Sequence, residues 1–250
     1  MGPHRWFTPT SLVYILVHVV LFLGGFALVR SSGTVQQGVG ASLIAAAVTG
    51  WVIFVYVRSS ENRIEGLEIL NRFGFVTVFE ARATRIKPEY DRRLAQARQS
   101  IDIMGFGLKA LWEDYHNQFA EWQGRTAVRI LLIDPNSPYA QQRDKEEFEI
   151  QGSIRSSAKR FLRETEALRL NRGQHCFEVR LYTCLPSINI FRVDDEMFWG
   201  PYLIGMQSRN APTFVVRRGG ELYRRLLEHF EAIWADPKLS RPVTPDDIEG

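Results

Sequence analysis

The chain has 250 residues, 31 of them Lys or Arg and 28 Asp or Glu, a length that suits one globular domain plus an anchor, or two small domains. Charge is unevenly spread: from Met1 to Val57 there is no Asp or Glu, and the only full charges are Arg5 and Arg30. Beyond Val57 the other 29 basic residues face all 28 acidic ones. That balance belongs to a mixed soluble surface and argues against a general nucleic-acid binder, which needs a large basic excess to neutralise phosphates.

Leu12 to Val29 is an uninterrupted uncharged run rich in Leu, Val, Ile and Phe, and Gly38 to Val57 is a second. At about 1.5 Å per residue, roughly 18 to 20 residues span close to the hydrocarbon thickness of a bilayer. The link from Arg30 to Gln37 is short, polar and glycine-containing, as a helical hairpin requires. His4 and Arg5 precede the first run, while Arg58, Arg63 and Arg72 follow the second. Positive flanks on those two sides put both termini in the cytoplasm, at a cell inner membrane, with Trp6 and Tyr56 at the interfaces. Arg58 and Arg63 are placed to meet anionic head groups. His18 falls mid-span, as a neutral hydrogen-bonded packing residue or a proton relay. Gly38, Ser42, Ala46 and Gly50 recur every four residues. Such a small-residue strip permits close helix approach, within the hairpin or between copies of the chain.

A helix continues through Arg58 to Phe73 and stops at Gly74, before a short β-prone run at Phe75 to Phe79. Pro88 opens a helix to about Gln99, and Ser100 to Phe106 reads as a buried strand. Leu108, Leu111, Trp112, Tyr115, Phe119 and Trp122 recur at helical spacing. Ala127 to Ile133 (AVRILLI) is the clearest strand and ends in the turn Asp134-Pro135-Asn136-Ser137-Pro138. One long charged helix is expected from about Tyr139 to Asn171, with Arg155, Lys159, Arg160 and Arg163 ion-paired to the acids upstream. Phe177 to Thr183 alternates as a strand that Pro186 breaks. Ile188 to Val193 and Glu196 to Ile204 pair as antiparallel strands across Asp194-Asp195, and Thr213 to Val216 is a last strand. An amphipathic helix carries Leu222, Leu226, Leu227, Phe230, Ile233 and Trp234. Alternating elements imply an α/β fold, a mixed sheet with helices on both faces. The expected division is a transmembrane hairpin over 1–57 (spans about 12–29 and 38–57), a juxtamembrane helix and connector over 58–87, a cytosolic domain over 88–235 and a loose tail over 236–250.

Three segments, ARQSIDIMGF from Ala97, VRILLIDPNSP from Val128 and SINIFRVDDEMFWGPYL from Ser187, make the cytosolic domain resemble one half of a phospholipase D-like domain. The resemblance implies a motif His-x-Lys-x-x-x-x-Asp followed by Gly-Ser-x-Asn, in which the His attacks phosphorus while Lys and Asn hold the phosphate oxygens. With Asp194 at the family's Asp position, Ser187 stands at the His position and Asn189 at the Lys position; Gly200-Pro201-Tyr202-Leu203 falls on the second stretch. Neither an imidazole nor a cation is supplied, so no catalytic residue is expected. The strand ends still suit a pocket. They would gather Gly105, Phe106, Asp134, Asn136, Ser137, Ser187 and Asn189, with Arg192 nearby and Asp194 in the motif, for a polar or phosphorylated ligand.

Cys176 and Cys184 form no metal-ligand spacing and fit reduced thiols. His116, His175 and His229 are scattered, and neither metal nor cofactor is expected. The layout is similar to membrane effectors of bacterial antiphage defence, which implies a non-enzymatic sensor whose cytosolic domain binds a small-molecule or protein signal and controls a self-associating hairpin. Its alternatives are a membrane-bound phosphodiesterase or nuclease with an altered site, and a structural tether.

Overall fold

The computed structural model describes residues 9–80, 86–171, 175–185 and 187–249, except the side chains of 58–65 and 249. His4, Arg5, Trp6, Pro186 and the side chains of Arg58 and Arg63 therefore lie outside the described residues. The chain divides into two compact units, one up to Ile69 and one from Leu70.

The first unit pairs helix α1 (Pro9–Val29) with α2, which runs as Thr34–Phe73. Pro9–Val29 and Thr34–Val57 are long and apolar enough to cross a membrane. A Cβ built on Gly25 would come 2.7 Å from the Gly40 carbonyl oxygen, and one on Gly50 would come 1.9 Å from His18 Nε2. Glycine is thus what lets α1 and α2 approach. His18 Nδ1–H donates to the Tyr14 carbonyl at 2.9 Å, and the Tyr14 hydroxyl donates to that of Gly50 at 3.1 Å. His18 is a packed, hydrogen-bonded residue in this hairpin. The small-residue strip does not hold one face: Gly50 is buried against α1, whereas Gly38, Ser42 and Ala46 are exposed. The cause is geometric. At 3.6 residues per turn, a four-residue spacing advances about 40° per step, so three steps carry Gly50 roughly 120° from Gly38.

The second unit is built on an eight-stranded sheet in the order β1-β7-β6-β5-β2-β3-β4-β8. Its strands are β1 (Phe75–Phe79), β2 (Ser100–Gly105), β3 (Ala127–Ile133), β4 (Phe177–Tyr182), β5 (Ile188–Val193), β6 (Glu196–Pro201), β7 (Thr213–Arg217) and β8 (Ser240–Pro242). β2, β3 and β4 are parallel, and every other pairing is antiparallel. The parallel strands are covered on both faces, which is why AVRILLI is apolar at every position but Arg129 and five of its side chains show no exposure. Four antiparallel steps separate β1 from β2, so the two strands point the same way. The carboxyl end of β2 therefore lies at the sheet edge opposite Gly74, where the chain enters β1.

Helices α3 (Lys87–Gln96), α4 (Lys109–Tyr115), α5 (Phe119–Arg125) and α7 (Ser153–Glu164) contribute to a core on one face, with Phe119, Trp122 and Phe161 at its centre. On the other face α9 (Glu221–Ala235) buries Tyr223, Leu226, Phe230 and Ile233 against Leu131, Tyr182 and Val216. Each such large side chain stabilises the fold by roughly 1.5–3 kcal/mol on burial.

The single helix expected from Tyr139 to Asn171 is instead three: α6 (Pro138–Glu146), α7 and α8 (Glu166–Leu170). The buried Asp144 carboxylate accepts the Gly152 and Ile154 amides at 2.7 and 3.0 Å, caps α7 and turns the chain back. Gly152 takes a left-handed φ of 89° to make that turn. Nor is the described stretch 236–249 loose. β8 pairs with β4, and α10 (Asp246–Glu249) is clasped by Arg241, which donates to Asp134 at 2.8 Å and to Asp247 at 2.7 Å. Pro and Asp in this stretch cap and turn an ordered segment.

Candidate functional site

Antiparallel pairing of β5 with β2 sets Ile190 opposite Met104, which brings Asn189 beside the carboxyl end of β2. A cavity of about 550 Å³ opens there. It is lined by Gly105 and Phe106 from the end of β2, by Lys87 and Tyr90 of α3, by Lys109 and Tyr115 of α4, by Ile154 and Ser157 of α7, and by Glu147, Glu149, Tyr202, Gln207 and Arg209 from two loops. The volume lies in the range of small-molecule sites. Leu108, also on its wall, is held at a left-handed φ of 49°, and strain in a bulky residue concentrates at binding sites more than elsewhere.

Behind the wall sits Arg143, 1% exposed although charged. It pairs with Glu147 at 2.8 Å, donates to the Leu203 and Met206 carbonyls at 3.0 and 2.9 Å, and lies 5.0 Å from the centre of the Tyr202 ring. One buried guanidinium thereby fixes both loops that close the cavity. Nothing in the sequence singles Arg143 out, and only the long-range carbonyl contacts reveal its part.

The charges around the cavity are mixed. Lys87 is held by Asp91 at 3.2 Å and lies over the Tyr115 ring at 4.5 Å. Burial, then the hydrogen bond Tyr115 donates to the Asp91 carboxylate at 2.9 Å, push that phenol well above its ordinary range, so it stays protonated. Lys109 and Arg209 make no ion pair with a described residue, which leaves two cations for a ligand's polar or anionic groups. Among the described residues no histidine or cysteine lines the cavity. Among the described residues no group of three His, Cys, Asp or Glu side chains could hold a metal ion.

Of the residues expected at the strand ends, the cavity gathers Gly105, Phe106 and Asn189. Asn189 is buried and donates its amide to the Gly200 carbonyl at 3.1 Å. Ser187 is exposed outside the cavity lining, and its carbonyl accepts the Tyr202 amide at 3.1 Å. Asp134, Asn136 and Ser137 stay apart from the cavity at the end of β3. There Asp134 binds Arg241 and the Asn136 amide, and Ser137 caps α6 by accepting the Tyr139 amide at 3.2 Å.

Arg192 and Asp194 are at the far edge, because β5 runs opposite to β2 and its last residues meet the start of β2. There Arg192 is paired with Asp102, which also holds Arg129 at 2.7 Å, and Arg129 reaches Glu231 of α9 at 2.6 Å. Asp194, at a left-handed φ of 51°, accepts the Arg98, Gln99 and Ser100 amides at 2.9, 2.7 and 3.0 Å. Both are bound into the fold rather than presented to a ligand.

The arrangement is an α/β domain with two apolar N-terminal helices and a cavity at the carboxyl end of β2. The chain belongs to the family described as "Domain of unknown function (DUF5919)", whose model matches residues 72–243. No curated protein matches it. Among the solved structures to which the chain is similar, two are at low identity. One is TrmBL2, described as an archaeal chromatin protein with a novel mode of DNA binding: 14% identity, TM-score 0.42, over 81% of this chain and 70% of that one. The other is phosphatidylserine synthase of Haemophilus influenzae Rd KW20: 13% identity, TM-score 0.45, over 66% of this chain and 39% of that one. Neither likeness assigns an activity here.

Proposed function

We propose that the chain is a membrane-anchored, non-enzymatic sensor: the cytosolic domain takes a small polar ligand in the cavity at the end of β2 and thereby controls the state of the hairpin. The observation that carries this reading is the cavity itself, closed by loops fixed on Arg143 and carrying Lys109, Arg209 and Asn189 but, among the described residues, no imidazole or thiol. On the phospholipase D-like alignment, Ser187 and Asn189 replace the nucleophile and the cation, so the domain is a scaffold without its chemistry. The hairpin lies in the cell inner membrane with both termini cytoplasmic. It self-associates through Gly38, Ser42 and Ala46, the small residues left exposed on α2. In this reading the output is disruption of the membrane, as in antiphage defence, and nucleic acid is not a partner.

The test is turnover by the full chain in detergent micelles, with phosphodiester lipids and with DNA and RNA as substrates. Rates at background support the sensor. Turnover that Asn189→Ala or Ser187→Ala abolishes would establish instead a membrane-bound phosphodiesterase or nuclease with an altered site.

A further inference from the structure

The floor of the cavity carries one polar group whose orientation is fixed. Side chains alternate along β5, so Asn189 shares a face with Phe191, which packs in the core with Tyr90 and Ile103. The Asn189 Nδ2–H donates to the Gly200 carbonyl at 3.1 Å. The reverse amide orientation would set two oxygens against each other, so Oδ1 is the atom left over. It accepts from no described residue and is not sealed in. A ligand that reaches this floor meets an acceptor, and an acceptor selects a donor.

The wall around it does not favour an anion. Lys87 is taken by Asp91, and Glu147 by Arg143. Among the described lining residues that leaves Lys109 and Arg209 against Glu113, Asp114 and Glu149, with no positive surplus to hold a phosphate dianion. Aromatic rings are what the wall has in excess. Tyr90 packs on Phe191 at 4.7 Å between ring centres, and Phe106 on Tyr202 at 4.6 Å. Such rings meet a planar partner edge-to-face or offset. A cavity of about 550 Å³ has room for fused rings bearing a sugar-sized substituent.

We infer, resting on the reading of the cavity as the ligand site, that its ligand is an uncharged nucleoside whose exocyclic amino group donates to Asn189 Oδ1. The base lies among Tyr90, Phe106, Phe191 and Tyr202, which line the cavity. A hydroxyl both donates and accepts, so the sugar suits the mixed charges of Lys109, Arg209 and Glu149. Two changes to the ligand are then unfavourable. Alkylating the amine leaves Oδ1 without a partner, and phosphorylating the sugar sets a dianion beside carboxylates.

The experiment is equilibrium dialysis of the full chain in detergent micelles against adenosine and cytidine, their N-dimethylated forms and their 5′-monophosphates. At least one nucleoside is expected to bind about tenfold or more tighter than both its dimethylated form and its monophosphate. Asn189→Leu, checked for folding by its thermal transition, should weaken that nucleoside by about tenfold. The ligand series needs only the wild-type chain, so it stands if the variant fails to fold. A monophosphate that binds as tightly as its nucleoside, or a dimethylated form that does, would overturn the donor-selective site. If that binding still depended on Asn189, the cavity would remain the ligand site. Nucleoside binding that is unchanged in folded Asn189→Leu would overturn both readings. No binding by either nucleoside would overturn the nucleoside alone, and the sensor would still be judged by the turnover assay.

Discussion

At the level of single residues, the same side chain can satisfy a motif by position and do unrelated work in the fold. Asp194 stands where the phospholipase D-like pattern keeps its Asp, yet its carboxylate gathers three backbone amides at the start of β2, and its carbonyl accepts the Arg192 Nε–H and the Tyr223 hydroxyl. Hydrogen bonds to a charged acceptor contribute about 1.5–3 kcal/mol each and are not additive. Asp194→Ala is expected to cost about 2–4 kcal/mol in denaturant unfolding, with Asp194→Asn costing less. A loss under about 0.5 kcal/mol would show that the amides find water instead. The turn at Asp194-Asp195 is legible from composition. What the carboxylate binds is not, because Arg98 to Ser100 lie more than ninety residues away and backbone amides leave no mark in sequence. Arg192 illustrates the complementary error: proximity along the chain to Asn189 placed it at the cavity, but antiparallel pairing carried it to the other edge and into the Asp102 ion pair.

At the level of elements, hydrophobic pattern identifies what packing over the whole element decides. β1, β3 and β5 have the limits read from their apolar runs, and α9 follows from its 3.6-residue periodicity. The break between α6 and α7 was not legible, since it depends on one buried carboxylate reaching back to Gly152 and Ile154. In the hairpin the four-residue spacing was real, but its drift around the helix divides the roles of its members. Gly50 packs on His18, while Ala46 is exposed. Ala46→Leu should therefore leave α1–α2 cross-linking intact and lower cross-linking between copies, whereas Gly50→Leu should lower α1–α2 cross-linking. Equal effects of the two on both readouts would contradict the division.

At the level of the whole molecule, the α/β class, two apolar helices and a mixed sheet covered on both faces were all readable from charge segregation and alternating elements. The cavity was readable only as a sheet edge; its walls come from α3, α4, α7 and two loops whose convergence no local pattern encodes. The ordered segment 236–249 was missed for the same reason. Its clasp carries a pH dependence. The Arg241 guanidinium holds the Asp247 carboxyl down to about 2, below the ordinary value near 3.8. A depressed folded-state value adds stability that is present above the unfolded value and is lost as pH falls through the folded one. Amide exchange at 240–248 should thus accelerate between about pH 4 and pH 2 in wild type, and Asp247→Asn should show fast exchange throughout. A pH-independent profile in wild type would detach the clasp from this ion pair.

The central claim, that a two-helix anchor holds the domain on the cytoplasmic side, is tested most directly by labelling with a membrane-impermeant maleimide. Cys176 is exposed in the domain, and Gly33 lies in the link between α1 and α2. In intact cells a Gly33→Cys chain lacking Cys176 and Cys184 should label, while the wild-type chain should label at Cys176 only after permeabilisation. Labelling of Cys176 in intact cells, with Gly33→Cys protected, would contradict the account.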